Sequence, residues 1–360
     1  MAILGVVQEQ HAERAQLYKQ WKQYDFSIAQ DASTQLNLAA VPIPILIDEH
    51  GVVRKLRARP GDLDKFIKQD FSAPSETAAA SQSGGSEVAK LVMQANQILS
   101  SQTEPDVDKA IATFEQAVAS EDKNGKALFG LGVAYRMRFD KSGNIDDFAK
   151  AAANWQAALA VNPNQYIWRR RIEQYGPRLT KPYPFYDWVE TAQKEIVARG
   201  EEPVALKAKL TGTEVASPRQ AANSAKDKPE NPDPEAKILK DEKFLAVTAT
   251  TVPAVTKSKK QMRVHLHCSI EGAKWNDEAP GMQVWIDDSS DGAPESRLLE
   301  YSVGNQKPGS TRTVDFEFQL ADAKQPAKVR GFVLFHCCDD SDVCFYYRKD
   351  FELPVQPATN

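Results

Sequence analysis

Residues 72–86 read SAPSETAAASQSGGS, fifteen residues in a row with no large apolar side chain. Such a run has nothing to bury and behaves as a flexible linker. The expectation is that it separates a module at 1–71 from another beginning at 87. Its 360 residues are enough for two or three domains with substantial cores. The 45 basic and 49 acidic side chains nearly cancel, to a formal charge of -4. No basic aromatic stripe is present, so no nucleic-acid partner is expected. No apolar stretch of 18 residues occurs, so no membrane span is expected. The opening MAILGVVQEQHAER has no basic head and only a short apolar run, unlike a signal peptide. Taken alone, the chain reads as cytoplasmic.

The pattern predicts a multidomain protein of α/β, α and β parts in that order. In 1–71, ILGVVQ reads as a buried strand and AERAQLYKQWKQYDF as a helix with Leu17 and Trp21 on one face. ILID reads as a second buried strand, EHG as a turn, and VVRKL as its hairpin partner. GDLDKFIKQ closes the unit as a helix capped by Gly61 or Asp62. After the 72–86 linker, residues 87–199 have a helical period and an internal repeat. DKAIATFEQAVASED aligns with AKAAANWQAALAVNP at an offset of 41, matching Phe114 to Trp155 and Ala117 to Ala158. Small residues at Ala110, Ala117, Ala151 and Ala158 allow close helix crossing, with the aromatics filling the space between. Between the copies stand Leu131, Gly132 and Tyr135. This L-G-x-x-Y element resembles the tetratricopeptide repeat, with FDKSGNID (139–146) holding the extra length. The resemblance implies about two repeats, with Phe114, Leu131, Tyr135 and Trp155 as packing positions. They would form either a helical spacer or a groove that grips a peptide or protein.

In 200–356 the period changes. EEPVALKAKLTGTEVASP alternates like a strand, and 218–240 is a polar, proline-bearing loop. Six further extended runs follow, separated by turns rich in Gly, Asp, Asn and Pro, the pattern of a β-sandwich. All four cysteines lie here: Cys268, Cys337, Cys338 and Cys344. VRGFVLFHCC and VCFYYRKDFEL, joined by DDSDV, read as a hairpin. Cys338 and Cys344 flank its turn and face each other across the ladder at a spacing that suits a disulfide. Cys337 points to the opposite face. Three readings stay open: a redox-active pair, a static disulfide, and free or metal-bound thiols.

This C-x5-C hairpin with its trailing aromatics resembles the immunoglobulin-like N-terminal domain of DsbD, over roughly 240–356. KWNDEAP (274–280) and VWIDD (284–288) fit the same module. The resemblance implies that Cys338 and Cys344 are catalytic and exchange electrons with a protein thiol or disulfide partner. It also implies the bacterial periplasm or cell envelope. Chemically, Asp339, Asp340 and Asp342 disfavour a thiolate, and Arg348 and Lys349 would favour one if they folded back. The metal alternative rests on His265 and His267, which share one strand face, and on His336 and Cys338, which share another. Two such pairs on neighbouring strands could hold copper or zinc. No other cofactor is expected.

LAAVPIPILIDEHGVVRKL resembles the distal half of the thioredoxin fold of TlpA- and ResA-like proteins. The resemblance makes Pro42 the cis-proline and Gly51 a hairpin-turn residue. Thioredoxin chemistry needs a C-x-x-C at a helix N-terminus, and no cysteine precedes Cys268. The expectation is a partial thioredoxin-like unit, in a fragment of a longer protein or a degenerate domain, without dithiol exchange of its own.

Overall fold

The computed structural model describes residues 1–36, 38, 41–73, 86–100, 104–177, 185–207, 229–255, 260–301, 311–322 and 325–355. The chain forms two compact units: residues 1–171 with 189–209, and residues 172–188 with 210–360. The architecture is mixed, with helices concentrated in the first unit and the long strands in the second.

The first unit opens with strand β1 (Leu4–Val7), helix α1 (Ala12–Lys22) and strand β2 (Ser27–Gln30). β1 and β2 pair in parallel, which requires the crossover that α1 supplies. β1 is not the buried strand that its composition suggests: Leu4 and Val6 are exposed. The Val41–Pro42 peptide bond is cis. Strands β3 (Ile45–Ile47) and β4 (Val53–Leu56) then form an antiparallel hairpin. Ile47 too is exposed, contrary to the buried-strand expectation. Helix α2 (Pro60–Phe66) is capped by Arg59, two or three residues before the expected Gly61 or Asp62, and ends at Phe66 rather than at 69. The Asp62 carboxylate accepts the Arg59 backbone N–H at 2.7 Å, which satisfies a donor outside the helix ladder.

Residues 74–85, most of the expected linker, lie outside the described residues. Ser86 caps helix α3 (Glu87–Leu99) by accepting the Ala89 N–H at 3.2 Å. Helices α4 (Val107–Ser120), α5 (Gly125–Ser142) and α6 (Ile145–Val161) follow, each with an Asp or Asn side chain capping its start. The two repeat-matched aromatics, Phe114 on α4 and Trp155 on α6, are fully buried against α5. They do so at two glycines, where a Cβ would stand 2.4 Å from the Phe114 ring at Gly130 and 2.5 Å from the Trp155 ring at Gly132. Real Cβ atoms do not approach that closely, so the glycines set how near α4 and α6 come to α5. Leu131 and Tyr135 are buried in the same packing, and the Tyr135 hydroxyl donates to Glu115. The extra length in the repeat falls at the end of α5 and in the Gly143 turn. Helices α7 (Tyr166–Glu173) and α8 (Trp188–Ala198) follow.

The β1–α1–β2 element is tied to the helices rather than standing apart. His11 Nε2 lies 2.8 Å from Asp140 of α5, and the Trp21 indole N–H donates to Glu195 of α8 at 2.6 Å.

Residues 201–207, at the end of the first unit, form no strand, and residues 208–228 lie outside the described residues. The second unit holds the long strands. The six extended runs expected after 240 each contain a strand. These are β5 (Leu245–Pro253), β6 (Gln261–Ile270), β8 (Gln283–Ile286), β11 (Thr311–Leu320), β12 (Ala327–Cys338) and β13 (Cys344–Val355). Short strands β7 (Lys274–Trp275), β9 (Gly292–Pro294) and β10 (Leu298–Glu300) add to them. One sheet has the order β5-β6-β11-β9. The other runs β10-β8-β12-β13, with β7 also paired to β12. Alternate residues of both sheets meet in one apolar cluster that includes Val264, Leu266, Cys268, Phe316, Phe318, Val333, Phe335 and Cys337. Each fully buried Phe in it contributes roughly 2–3 kcal/mol. A smaller cluster of Trp285, Phe332 and Leu334 covers the other face of the second sheet, with Ile238 packed on it.

Candidate functional site

The β12–β13 ladder runs without a break in register from Ala327↔Val355 to Cys338↔Cys344. Beyond it the Asp339 N–H donates to the Val343 carbonyl at 3.0 Å. In an antiparallel pair, bonded and non-bonded positions alternate. Cys338 and Cys344 therefore occupy a non-hydrogen-bonded position, where side chains come closest. Their Cα atoms are 3.9 Å apart and their sulfurs are joined in a disulfide.

The turn is shaped by its own aspartates. Asp339 Oδ1 accepts the Ser341 and Val343 N–H groups at 2.9 and 3.1 Å. Asp342 sits in the left-handed region at φ 56°, which a short polar side chain tolerates better than most. The hairpin tip is accordingly small, ordered and acidic. Cys344, Val343 and Tyr346 are exposed, and Cys338 is half-buried.

The nearby cations do not turn toward the sulfurs. Arg348 Nη1 lies 2.9 Å from Asp233, its Nε lies 2.7 Å from Asp350, and its guanidinium stacks 3.7 Å above the Phe332 ring. Lys349 Nζ is 3.6 Å from Asp241. Of the basic residues, Lys274 of β7 reaches the turn, 3.3 Å from Asp342. His336 stacks on Tyr346 with ring centroids 4.3 Å apart. Burial lowers its pKa below the ordinary histidine value. Tyr347 points to the other face and packs with Phe335, Phe345 and Phe244.

The other two cysteines differ in every respect that matters for reactivity. Cys337, next in sequence to Cys338, points into the apolar core and is fully buried. Burial first, then Asp241 and Asp339, pushes its thiol up to about 11. Cys268 is buried in the same core, and loss of solvent pushes its thiol up to about 12. Thiols that do not ionise are poor nucleophiles.

His265 and His267 share a face of β6, as their spacing requires, but that face is not open to solvent. His265 Nδ1 is 2.8 Å from Asp315 of β11, and its Nε2 is 2.9 Å from the Tyr175 carbonyl. His267 lies between two hydroxyls, 3.0 Å from Thr313 and 3.2 Å from Thr250. Arg263, one position further along this face, pairs with Asp315 and Glu317. β6 belongs to one sheet and β12, which carries His336 and Cys338, to the other. Among the described residues, no three of His, Cys, Asp or Glu gather in a metal-binding arrangement.

Burial, with the nearby His265 opposing and Asp315 favouring protonation more weakly, drives the His267 pKa down to about 3. The folded protein then holds His267 neutral while the unfolded chain protonates it near pH 6.5. The unfolded state binds more protons in that window, so stability falls as pH drops from about 6.5 toward 3. The expected loss from this residue is about 2 kcal/mol at pH 5. Urea midpoints at pH 7 and pH 5 should therefore differ less in His267→Gln than in the unmodified protein. An unchanged difference would show that His267 takes up its proton in the folded state.

A cavity of about 750 Å³ lies elsewhere, beside β9 and β11, lined by Gln261, Gly292, Glu295 and Phe318 among others. Its lining holds none of the cysteines or histidines. No helix among the described residues is long and apolar enough to cross a membrane. No protein-family model matches the chain, and no curated protein matches it in sequence.

Proposed function

We propose that the chain is a thiol–disulfide exchange protein whose working pair is Cys338–Cys344. The carrying observation is the placement of one disulfide at an exposed hairpin tip, with Cys344 open to solvent, while the two other thiols are sealed in the core. A purely structural crosslink adds less here than across a longer loop: it closes a loop of six residues at the end of an already continuous ladder. The loop-closure entropy that such a link removes from the unfolded chain is worth about 2 kcal/mol, the low end for a disulfide.

An incoming thiolate attacks the more accessible Cys344 sulfur. The Cys338–Cys344 bond breaks, a partner–Cys344 disulfide forms, and Cys338 leaves as a thiolate that takes a proton from solvent. A second partner thiolate then attacks the partner sulfur of that mixed disulfide. The partner leaves oxidised, and Cys344 is released as a thiolate. Two electrons have moved to the pair, and the reverse sequence returns them.

In this reading the two-sheet unit is a sandwich of the DsbD N-terminal type. The parallel β1–α1–β2 element, the cis-Pro42 and the β3–β4 hairpin support a thioredoxin-like distal half. The α4–α6 packing supports a tetratricopeptide-like spacer. The physiological setting would be a bacterial envelope thiol pathway. The copper or zinc alternative draws less support, because His265 and His267 are already hydrogen-bonded within their own sheet and His336 and Cys338 stand on the other.

The test is alkylation and peptide mass across a glutathione redox series. Expected is a reversible Cys338–Cys344 link with a two-electron response, and Cys268 and Cys337 unlabelled until the protein unfolds. A pair that stays oxidised in fully reduced glutathione and in dithiothreitol, without denaturant, would make it a static crosslink.

A further inference from the structure

We infer that the outer edge of β13, beside the disulfide, is a docking strip for an extended, cysteine-bearing segment of a basic partner protein. This rests on the exchange reading above and specifies how the partner is held. β13 is the edge strand of its sheet. Part of that edge is already covered by the chain itself. The Arg348 N–H donates to the Leu239 carbonyl at 2.9 Å, and the Asp241 N–H donates to the Arg348 carbonyl at 2.8 Å. Lys240 thus pairs with Arg348 as a short parallel bridge. Ile238, just before this bridge, packs on Trp285, Phe332 and Leu334.

The same two bonds reveal which way the rest of the edge points. Arg348 directs its backbone N–H and C=O away from β12. In an unbroken antiparallel register every second residue does the same, so Tyr346 and Cys344 also point outward. Among the described residues, neither has a backbone partner on that side. An edge left with unpaired donors and acceptors is a template for another strand. Here the template is two residues long, continues the line that Leu239–Asp241 has begun, and ends on the exposed sulfur of Cys344. A chain paired there in extended form brings its own side chains alongside Cys344 at strand spacing, where a cysteine thiolate can reach the sulfur.

Charge selects the kind of segment. The tip presents Asp339, Asp340 and Asp342, offset on the protein by Lys274 at Asp342. Arg348 and Lys349 are paired with other carboxylates. Lys or Arg on either side of the partner's cysteine would therefore be favoured, and favoured less at high salt.

The experiment uses the intact protein and the peptide Lys-Val-Thr-Cys-Val-Thr-Lys, with reduction of Cys338–Cys344 followed by mass. Two further peptides carry N-methyl groups on one or the other set of alternating amides. In an extended strand, one set faces β13 and the other faces away. The unmethylated peptide should reduce the pair roughly thirtyfold faster per thiolate than glutathione, the effect of two added backbone hydrogen bonds. One methylated peptide should lose that advantage and the other keep it. In the peptide-linked Cys338→Ser protein, the amides of Cys344 and Tyr346 should become protected from hydrogen exchange. Loss of the advantage in neither methylated peptide, or in both, overturns the docking strip. So does an unmethylated peptide no faster than glutathione. If dithiothreitol also fails to reduce the native pair, it is the exchange reading itself that falls.

Discussion

Cys338→Ser should accumulate as a mixed disulfide through Cys344, while Cys344→Ser should accumulate no such adduct. In both, electron uptake falls from two per molecule to none, because a single sulfur cannot complete the couple. The asymmetry between the variants is the informative part. Cys344 is exposed and Cys338 is half-buried, so an oxidised thiol partner should be captured by the first sulfur and scarcely by the second. Incubation of each variant with oxidised glutathione, followed by intact mass, reads this directly. Equal glutathionylation of both variants would mean that exposure at the tip does not decide which sulfur is attacked. Cys337 should not substitute for the missing partner. It sits on the opposite face of β12, opposite Phe345 and Trp275 in the ladder, and its thiol is held protonated by burial.

The second large effect is expected far from the sulfur. Asp315→Ala removes the carboxylate that serves both Arg263 and His265, and Arg263 is 1% exposed. Truncating one member of a buried charged network costs about 3–5 kcal/mol, because the others keep their desolvation penalty. Cys268 offers a local readout, since it lies on β6 with its thiol in the core. Its labelling under native conditions should speed up by roughly two to four orders of magnitude if labelling follows the opening equilibrium. Asp315→Asn keeps an acceptor and should lose less. The neighbouring His265 and Arg263 hold the Asp315 carboxyl well below the usual carboxylate range despite its burial. Its contribution is therefore complete above about pH 4 and is lost as pH falls below that. A labelling rate unchanged by Asp315→Ala would mean that Arg263 and His265 find other acceptors at no cost.

The positions of these groups were legible to different degrees. The hairpin was, since two extended runs joined by DDSDV leave Cys338 and Cys344 little choice but to face each other. The face on which Cys337 lies follows from the two-residue period of a strand, and so does the shared face of His265 and His267. The repeat alignment found Phe114 and Trp155 because both are set by local helical spacing. Burial was less legible. β1 and the β3 end at Ile47 carry apolar sequence yet are exposed, and β6 buries Arg263, His265 and His267 on the face that its alternation marks as polar. Alternation distinguishes the two faces of a strand, but it does not say whether another element covers the polar one. That depends on Asp315, Thr313, Thr250 and Tyr175, which are brought to β6 from 17 to 90 residues away by strand pairing and chain return.

By itself, then, the sequence determined what short range controls: strand and helix periods, the cysteine-flanked turn, the absence of any cysteine before Cys268, and the repeat. Tertiary structure alone decided that Arg348 and Lys349 are drawn to Asp233, Asp350 and Asp241 instead of to the disulfide. It also decided that the histidines of β6 and β12 stand on different sheets. The same is true of the β13 edge, which is paired at Arg348 and, among the described residues, has no backbone partner at Tyr346 and Cys344. Each of these turns on partners distant in the chain, whose approach is fixed by which apolar faces must be buried together and which hydrogen-bonding groups remain to be satisfied.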